Sequence, residues 1–132
     1  MSEWLRDAAL VGVGGFFGAA GRFLLSGWIG AHSGHFPFGT LAVNVIGSLA
    51  IGFLVAGLAE RVLAGAVVRL LVMAGFLGAF TTFSAFSYES VQLWNQGRWP
   101  ALIANIGLSV GGCLLATSTG MVAARALTPG QP

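Results

Sequence analysis

The chain has 132 residues, 56% of them hydrophobic and 8% charged, with 21 glycines and no lysine. Soluble domains carry about 25% charged residues, so this composition excludes an ordinary water-soluble domain and points to a membrane protein. Six arginines against four acids give a formal charge of +2, too sparse for a nucleic-acid face, and the lone Cys113 excludes a disulfide framework or a cysteine metal cluster.

Met1 to Asp7 holds Glu3, Arg6 and Asp7, which is not the clean basic start of a secretory leader. A bilayer core about 30 Å thick needs ~20 helical residues. Four stretches meet that requirement, at 8–30, 39–60, 66–95 and 100–124. The predicted fold is therefore all-α, a single four-helix transmembrane domain over residues 1–132. The joints are short: His32 to Pro37, Arg61 to Gly65, and Asn95 to Pro100, the first and third punctuated by glycine and proline. The tail Thr128 to Pro132 is expected to be disordered. Trp4, Trp28, Trp94 and Trp99 fall near span ends, where an aromatic belt belongs.

Span one carries Gly14, Gly18 and Gly21 along one side, a small-residue ridge that lets helix backbones approach closely. Arg22 lies about two-thirds of the way along it, and an arginine in lipid costs several kcal/mol, on the order of 3 or more, unless it snorkels or is partnered. It is either a vestibule charge or a snorkelling anchor. In span two, Thr40, Asn44 and Ser48 repeat every four residues and share a face. Asn44 is open to two roles, interhelical glue or donor to an anion.

Span three contains the stretch Gly75-Phe76-Leu77-Gly78-Ala79-Phe80-Thr81-Thr82-Phe83-Ser84-Ala85-Phe86-Ser87-Tyr88-Glu89. Two glycines loosen it, and the β-branched Thr81 and Thr82 can divert their hydroxyls to backbone carbonyls. A broken helix is expected here, and in lipid its unpaired backbone groups must face protein, water or an ion. If the segment is helical after the break, Thr82, Phe83, Phe86 and Glu89 share one broad face. Span four repeats Asn105, Ser109, Cys113 and Thr117, either a packing seam or one wall of a wet track. For orientation, Arg6, Arg61, Arg69 and Arg125 fall on the N-terminal side and Arg98 opposite, a modest preference for a cytoplasmic N-terminus.

Catalysis finds little support. His32 and His35 sit in a Gly/Pro loop with no further ligands to complete a metal set, and no phosphate-binding GxxxxGK[ST] is present. What the polar faces offer is a narrow pathway. The Asn44 amide and several hydroxyls can donate hydrogen bonds, and Phe83 and Phe86 carry ring edges with the positive part of the aromatic quadrupole. None of these groups bears a full charge, which suits a site that must dehydrate an anion and still release it. For the two phenylalanines, plain core packing is the alternative.

Three segments together resemble the Fluc (CrcB) family of microbial fluoride channels: Gly14-Gly15-Phe16-Phe17-Gly18-Ala19-Ala20-Gly21-Arg22, Gly39-Thr40-Leu41-Ala42-Val43-Asn44-Val45-Ile46-Gly47, and the Gly75–Glu89 stretch. The resemblance covers essentially the whole chain. It implies a passive fluoride-selective channel, not an enzyme, in the bacterial cytoplasmic (inner) membrane, exporting fluoride and relieving its toxicity. It also implies an antiparallel, dual-topology homodimer, the second copy inserted in the opposite orientation, with two pores. By the same resemblance Asn44, Phe83, Phe86, Thr40 and Ser109 belong to the fluoride pore and Arg22 to a vestibule. The backbone carbonyls of Gly78 and Thr81 would hold a central structural Na⁺. Where the family often has tyrosine, this chain has Asn105. The rival readings are a small four-helix proton-coupled multidrug transporter, which would want a glutamate in span one where this chain has only Arg22, and a non-transporting assembly subunit.

Overall fold

The computed structural model describes residues 2–59 and 65–127. The expected second joint (Gly65 apart) and the expected disordered tail lie outside those residues. Helix α1 spans Glu3–His32 and α2 Phe38–Ala59; the third stretch is built of α3 (Ala66–Val68), a π-helix (Arg69–Leu77), α4 (Gly78–Phe80) and α5 (Phe83–Asn95); α6 spans Trp99–Leu127. Among the described residues, four helical stretches are long and apolar enough to cross a membrane: Glu3–His32, Phe38–Gly57, Ala66–Asn95 and Trp99–Leu127. The first and last run past the expected 8–30 and 100–124 at both ends. Backbone hydrogen bonding inside a helix continues into the headgroup region, whereas hydropathy marks only the hydrocarbon part.

The described joints close with two left-handed glycines, Gly34 at φ +64° and Gly97 at φ +68°, conformations that residues with a Cβ adopt only at a cost. Across them, Arg98 Nη1 donates to the His35 carbonyl at 2.9 Å, linking the α1–α2 loop to the start of α6. Trp4, Trp28, Trp94 and Trp99 are all exposed at the ends of the bundle, as an interfacial belt requires.

The packing is organised by two glycine seams. A Cβ on Gly14 would collide with the Leu71 carbonyl, and one on Gly18 with the Phe76 carbonyl, so α1 rides directly on the backbone of the π-helix. On the other side, Gly52 of α2 meets the Thr117 backbone and Gly120 of α6 meets the Leu49 carbonyl. Close backbone approach is how helices gain dispersion contacts in a medium that gives no hydrophobic drive. The expected ridge holds at Gly14 and Gly18; a Cβ on Gly21 would instead meet the Phe80 ring at 3.7 Å, an ordinary contact. Gly47 of α2 leaves room for the Thr81 methyl, which seats the middle of the third stretch against α2.

The nine-residue π-helix was not foreseen from sequence. Each i→i+5 turn takes one more residue than an α-turn and presents a wider rim of carbonyls. That rim is what the α1 glycines contact. Downstream, α4 stops at Phe80; Thr81 (φ −84°, ψ 156°) and Thr82 (φ −150°, ψ 116°) are extended, and α5 starts at Phe83.

Candidate functional site

Around Thr81 and Thr82 the helical bonding is rerouted. Thr81 N–H still donates to the Leu77 carbonyl at 3.1 Å, and its hydroxyl bonds the same carbonyl at 3.1 Å. Thr82 N–H, which a continuous helix would send to Gly78, donates instead to Asn44 Oδ1 at 2.7 Å. Asn44 Nδ2 in turn donates to the Thr82 carbonyl at 3.0 Å. Thr82 then acts as the N-cap of α5, its Oγ1 accepting from the Ala85 N–H at 3.2 Å, the usual work of a threonine at that position. The two N–H groups that would have satisfied Gly78 and Thr81 carbonyls are thus engaged elsewhere.

Asn44 therefore serves as glue between α2 and the backbone of the third stretch, one of the two roles left open for it. Only one of its two amide hydrogens is used on Thr82, so one N–H remains to donate. Asn44 also lines a cavity of about 480 Å³ together with Thr82, Phe83, Phe86, Ser109 and, further along, Ser48 and Cys113. Among the described residues, no acidic or basic side chain lines it. Phe86 is buried, whereas Phe83 is 76% exposed, and their ring centroids lie 5.3 Å apart at 52°. Ser109 is buried and its hydroxyl has no hydrogen-bond partner among the described residues. A buried orphan hydroxyl facing a cavity calls for a ligand or a functional reason.

Thr40 is placed differently from the rest of the expected set. Its hydroxyl donates to Glu89 Oε1 at 2.5 Å, joining α2 to α5. Glu89 lines a second hollow of about 300 Å³ with His35, Tyr88, Gln92, Gln96 and Arg98, near the loop end of the bundle. Its Oε2 is buried without a partner among the described residues. Arg22 is half-buried on α1 and lines neither hollow. Gly78 and Thr81 both line the larger cavity, Gly78 exposed and Thr81 half-buried.

On α6 the polar stripe divides. Ser109 and Cys113 face the cavity. Asn105, 1% exposed, donates through Nδ2 to Ser90 Oγ of α5 at 3.0 Å. Sequence reasoning missed the Ser90 partner and the N-cap role of Thr82. The second was findable, since a threonine just before a helical run is a standard start signal. The first was not, because the i,i+4 stripe says which side chains align but not what faces them.

The profile described as "CrcB-like protein, Camphor Resistance (CrcB)" matches residues 9–121. The chain is 50% identical over 113 residues to a protein of Sulfurovum sp. named fluoride-specific ion channel FluC, covering 85% of this chain and 88% of that one. A protein of the same name from Opitutus terrae is 45% identical over 120 residues, covering 89% and 91%. One from Methanocaldococcus jannaschii is 44% identical over 124 residues, covering 93% and 98%. The family match over residues 9–121 reaches into all four spans and takes in every residue that lines the cavity, and the chain belongs to the CrcB-like family.

Proposed function

We propose that this chain is a passive fluoride channel of the cytoplasmic membrane, multi-pass and non-enzymatic, and that the cavity beside Thr81–Thr82 is its pathway. One observation carries the reading: an uncharged cavity is walled by a spare amide N–H on Asn44, an unpartnered hydroxyl on Ser109 and the Phe83–Phe86 pair. A small hard anion leaving water can exchange its hydration for amide, hydroxyl and ring edge in turn. Because none of these is a full charge, it is not trapped. Fluoride enters cells as neutral HF, dissociates, and is held inside as the anion. A membrane potential negative inside drives it out with about 2.3 kcal/mol per 100 mV, so no coupling machinery is needed. The relatives' names point to the same ion.

The cavity belongs to an assembly. Phe83 lines it while remaining 76% exposed, so one wall is missing from a single copy. A second copy in the opposite orientation supplies that wall and gives two pathways per dimer. The break in the third span then has a purpose at the dimer axis. Gly78 and Thr81 carbonyls, whose usual N–H donors are taken by Asn44 and by the Thr82 hydroxyl, fit a Na⁺, since freed backbone carbonyls are the ligands such an ion takes in unwound membrane helices. When bound, the ion supplies positive charge that holds the two interrupted spans together. Arg22 serves as a vestibule cation on the approach, and Thr40, through Glu89, steadies the outer end of the pathway.

The test is efflux from liposomes carrying the purified protein. Fluoride leaves down its gradient without a proton gradient, and chloride stays. Vesicles that retain fluoride with monodisperse protein inserted would sink the reading. Proton-coupled dye uptake would favour a multidrug transporter instead, and silence in both assays an assembly subunit.

A further inference from the structure

We infer that Asn105 and Ser90 form a positioning relay which sets the rotation of α5 and, through it, the place of the Phe86 ring in the cavity. This rests on the pathway proposed above. Asn105 Nδ2 donates to Ser90 Oγ at 3.0 Å, and Ser90 Oγ donates to the Phe86 carbonyl at 2.7 Å. The directions are fixed by the atoms. A carbonyl only accepts, so the one hydroxyl proton of Ser90 goes to Phe86, and Ser90 must receive from Asn105. Asn105 is 1% exposed, so its amide has no recourse to solvent.

The relay sits where α5 needs an external hold. Extended backbone at Thr81 and Thr82 separates α5 from α4, so α5 is not kept in register by a continuous helix on its N-terminal side. Asn44 holds the break itself. Asn105 bonds Ser90, about two turns into α5, and Ser90 carries that hold back to the carbonyl of Phe86, whose ring lines the cavity. A serine bonding back to the i−4 carbonyl shares an acceptor with the helix's own ladder, and here that hydroxyl is held from α6. Ser109 lies four residues beyond Asn105 on the same face of α6 and lines the cavity with Phe86. One turn of α6 therefore grips α5 and the next presents its free hydroxyl to the pathway, which fixes the spacing between ring and hydroxyl.

The experiment compares the full chain with Ser90→Ala, Ser90→Thr and the double variant Ser90→Ala/Asn105→Leu, in which leucine keeps the volume of the buried asparagine, each reconstituted at equal amounts of monodisperse protein. Fluoride efflux and the thermal midpoint are read for each. Ser90→Ala strands the Asn105 amide, and both midpoint and efflux fall. Ser90→Thr keeps the hydroxyl and restores efflux. In the double variant both polar groups are gone, which is close to neutral for stability, so the midpoint returns while efflux stays about tenfold down, the order of one hydrogen bond. Efflux that recovers together with the midpoint in the double variant overturns the relay, as does unchanged efflux in Ser90→Ala. A wild-type protein that holds fluoride overturns the pathway and the relay with it; normal wild-type efflux beside unaffected variants overturns the relay alone.

Discussion

Before Thr81, the third span is held by backbone lying on backbone: the π-helix carbonyls of Leu71 and Phe76 rest against Gly14 and Gly18 of α1. After Thr82 it is held by side chains, with Asn44 on Thr82, Thr40 on Glu89 and Asn105 on Ser90. The first arrangement offers no donors to a ligand and tolerates no added atom. The second is a set of hydrogen bonds around an uncharged cavity, each replaceable one atom at a time. Scaffold and proposed pathway thus share one span and use different chemistry, and substitutions on the two sides should fail in different ways.

The largest effect belongs to the scaffold side. Gly18→Val places a branched side chain against the Phe76 carbonyl, a backbone atom that cannot step aside. Overpacking of this kind costs about 1–3 kcal/mol where side chains can adjust, and more is expected here. The variant should yield no monodisperse protein on gel filtration. Gly12→Ala, with nothing within 4 Å of its Cβ, is the matched control and should purify like wild type. If both purify alike, the distinction between the halves is lost.

Asn44 stands at the boundary and should show both kinds of failure. Asn44→Leu orphans the Thr82 N–H and carbonyl, at about 1–3 kcal/mol each, so the thermal midpoint drops sharply along with efflux. Asn44→Asp can still accept from the Thr82 N–H but sets an oxygen against the Thr82 carbonyl and a carboxyl beside the anion path. Its midpoint should lie between wild type and Asn44→Leu, with no fluoride efflux. An Asp variant that conducts would remove Asn44 from the pathway and leave it as glue.

The sodium proposal sharpens the same boundary. Purifying the protein with a large organic cation in place of Na⁺ should lower the thermal midpoint, since an ion bound only by the folded dimer stabilises it by about 2.7 kcal/mol at a hundred times its Kd. An unchanged midpoint would detach the Gly78 and Thr81 carbonyls from any cation. The loss should be smaller than for Asn44→Leu, because Asn44 still holds Thr82 in place.

Much of the scaffold was legible because its signals are one-dimensional. Hydropathy placed four spans, the tryptophans marked their ends, and the spacing of Gly14 and Gly18 announced a close approach. The π-helix was not, since nothing in Arg69–Leu77 distinguishes it from an ordinary apolar helix. At the site, residue types were readable but partners were not. Thr40 and Asn44 share a face of α2, yet one bonds Glu89 and the other Thr82. Asn105 and Ser109 share a face of α6, yet one is bonded and the other has no partner among the described residues. Each outcome depends on which groups a neighbouring helix turns toward that face, and a pattern read along one helix carries no information about its neighbour.

The smallest effect on stability should come from Ser109→Ala, and it is the most telling about function. The Ser109 hydroxyl is buried and makes no hydrogen bond among the described residues, so in the folded chain it has lost water and gained nothing. Removing it relieves a desolvation cost, so stability should stay level or rise by under about 1 kcal/mol, well below the cost of stranding a bonded group, and the midpoint should not fall. Efflux should nevertheless slow, because the anion loses one of the few donors available between Asn44 and the far end of the cavity. No substitution on the glycine side can produce that combination: there, anything that harms transport does so by harming packing. A Ser109→Ala protein with both midpoint and efflux unchanged would mean that the anion passes Asn44 and Phe86 without touching α6, and the wall of the pathway would then have to come from the partner copy.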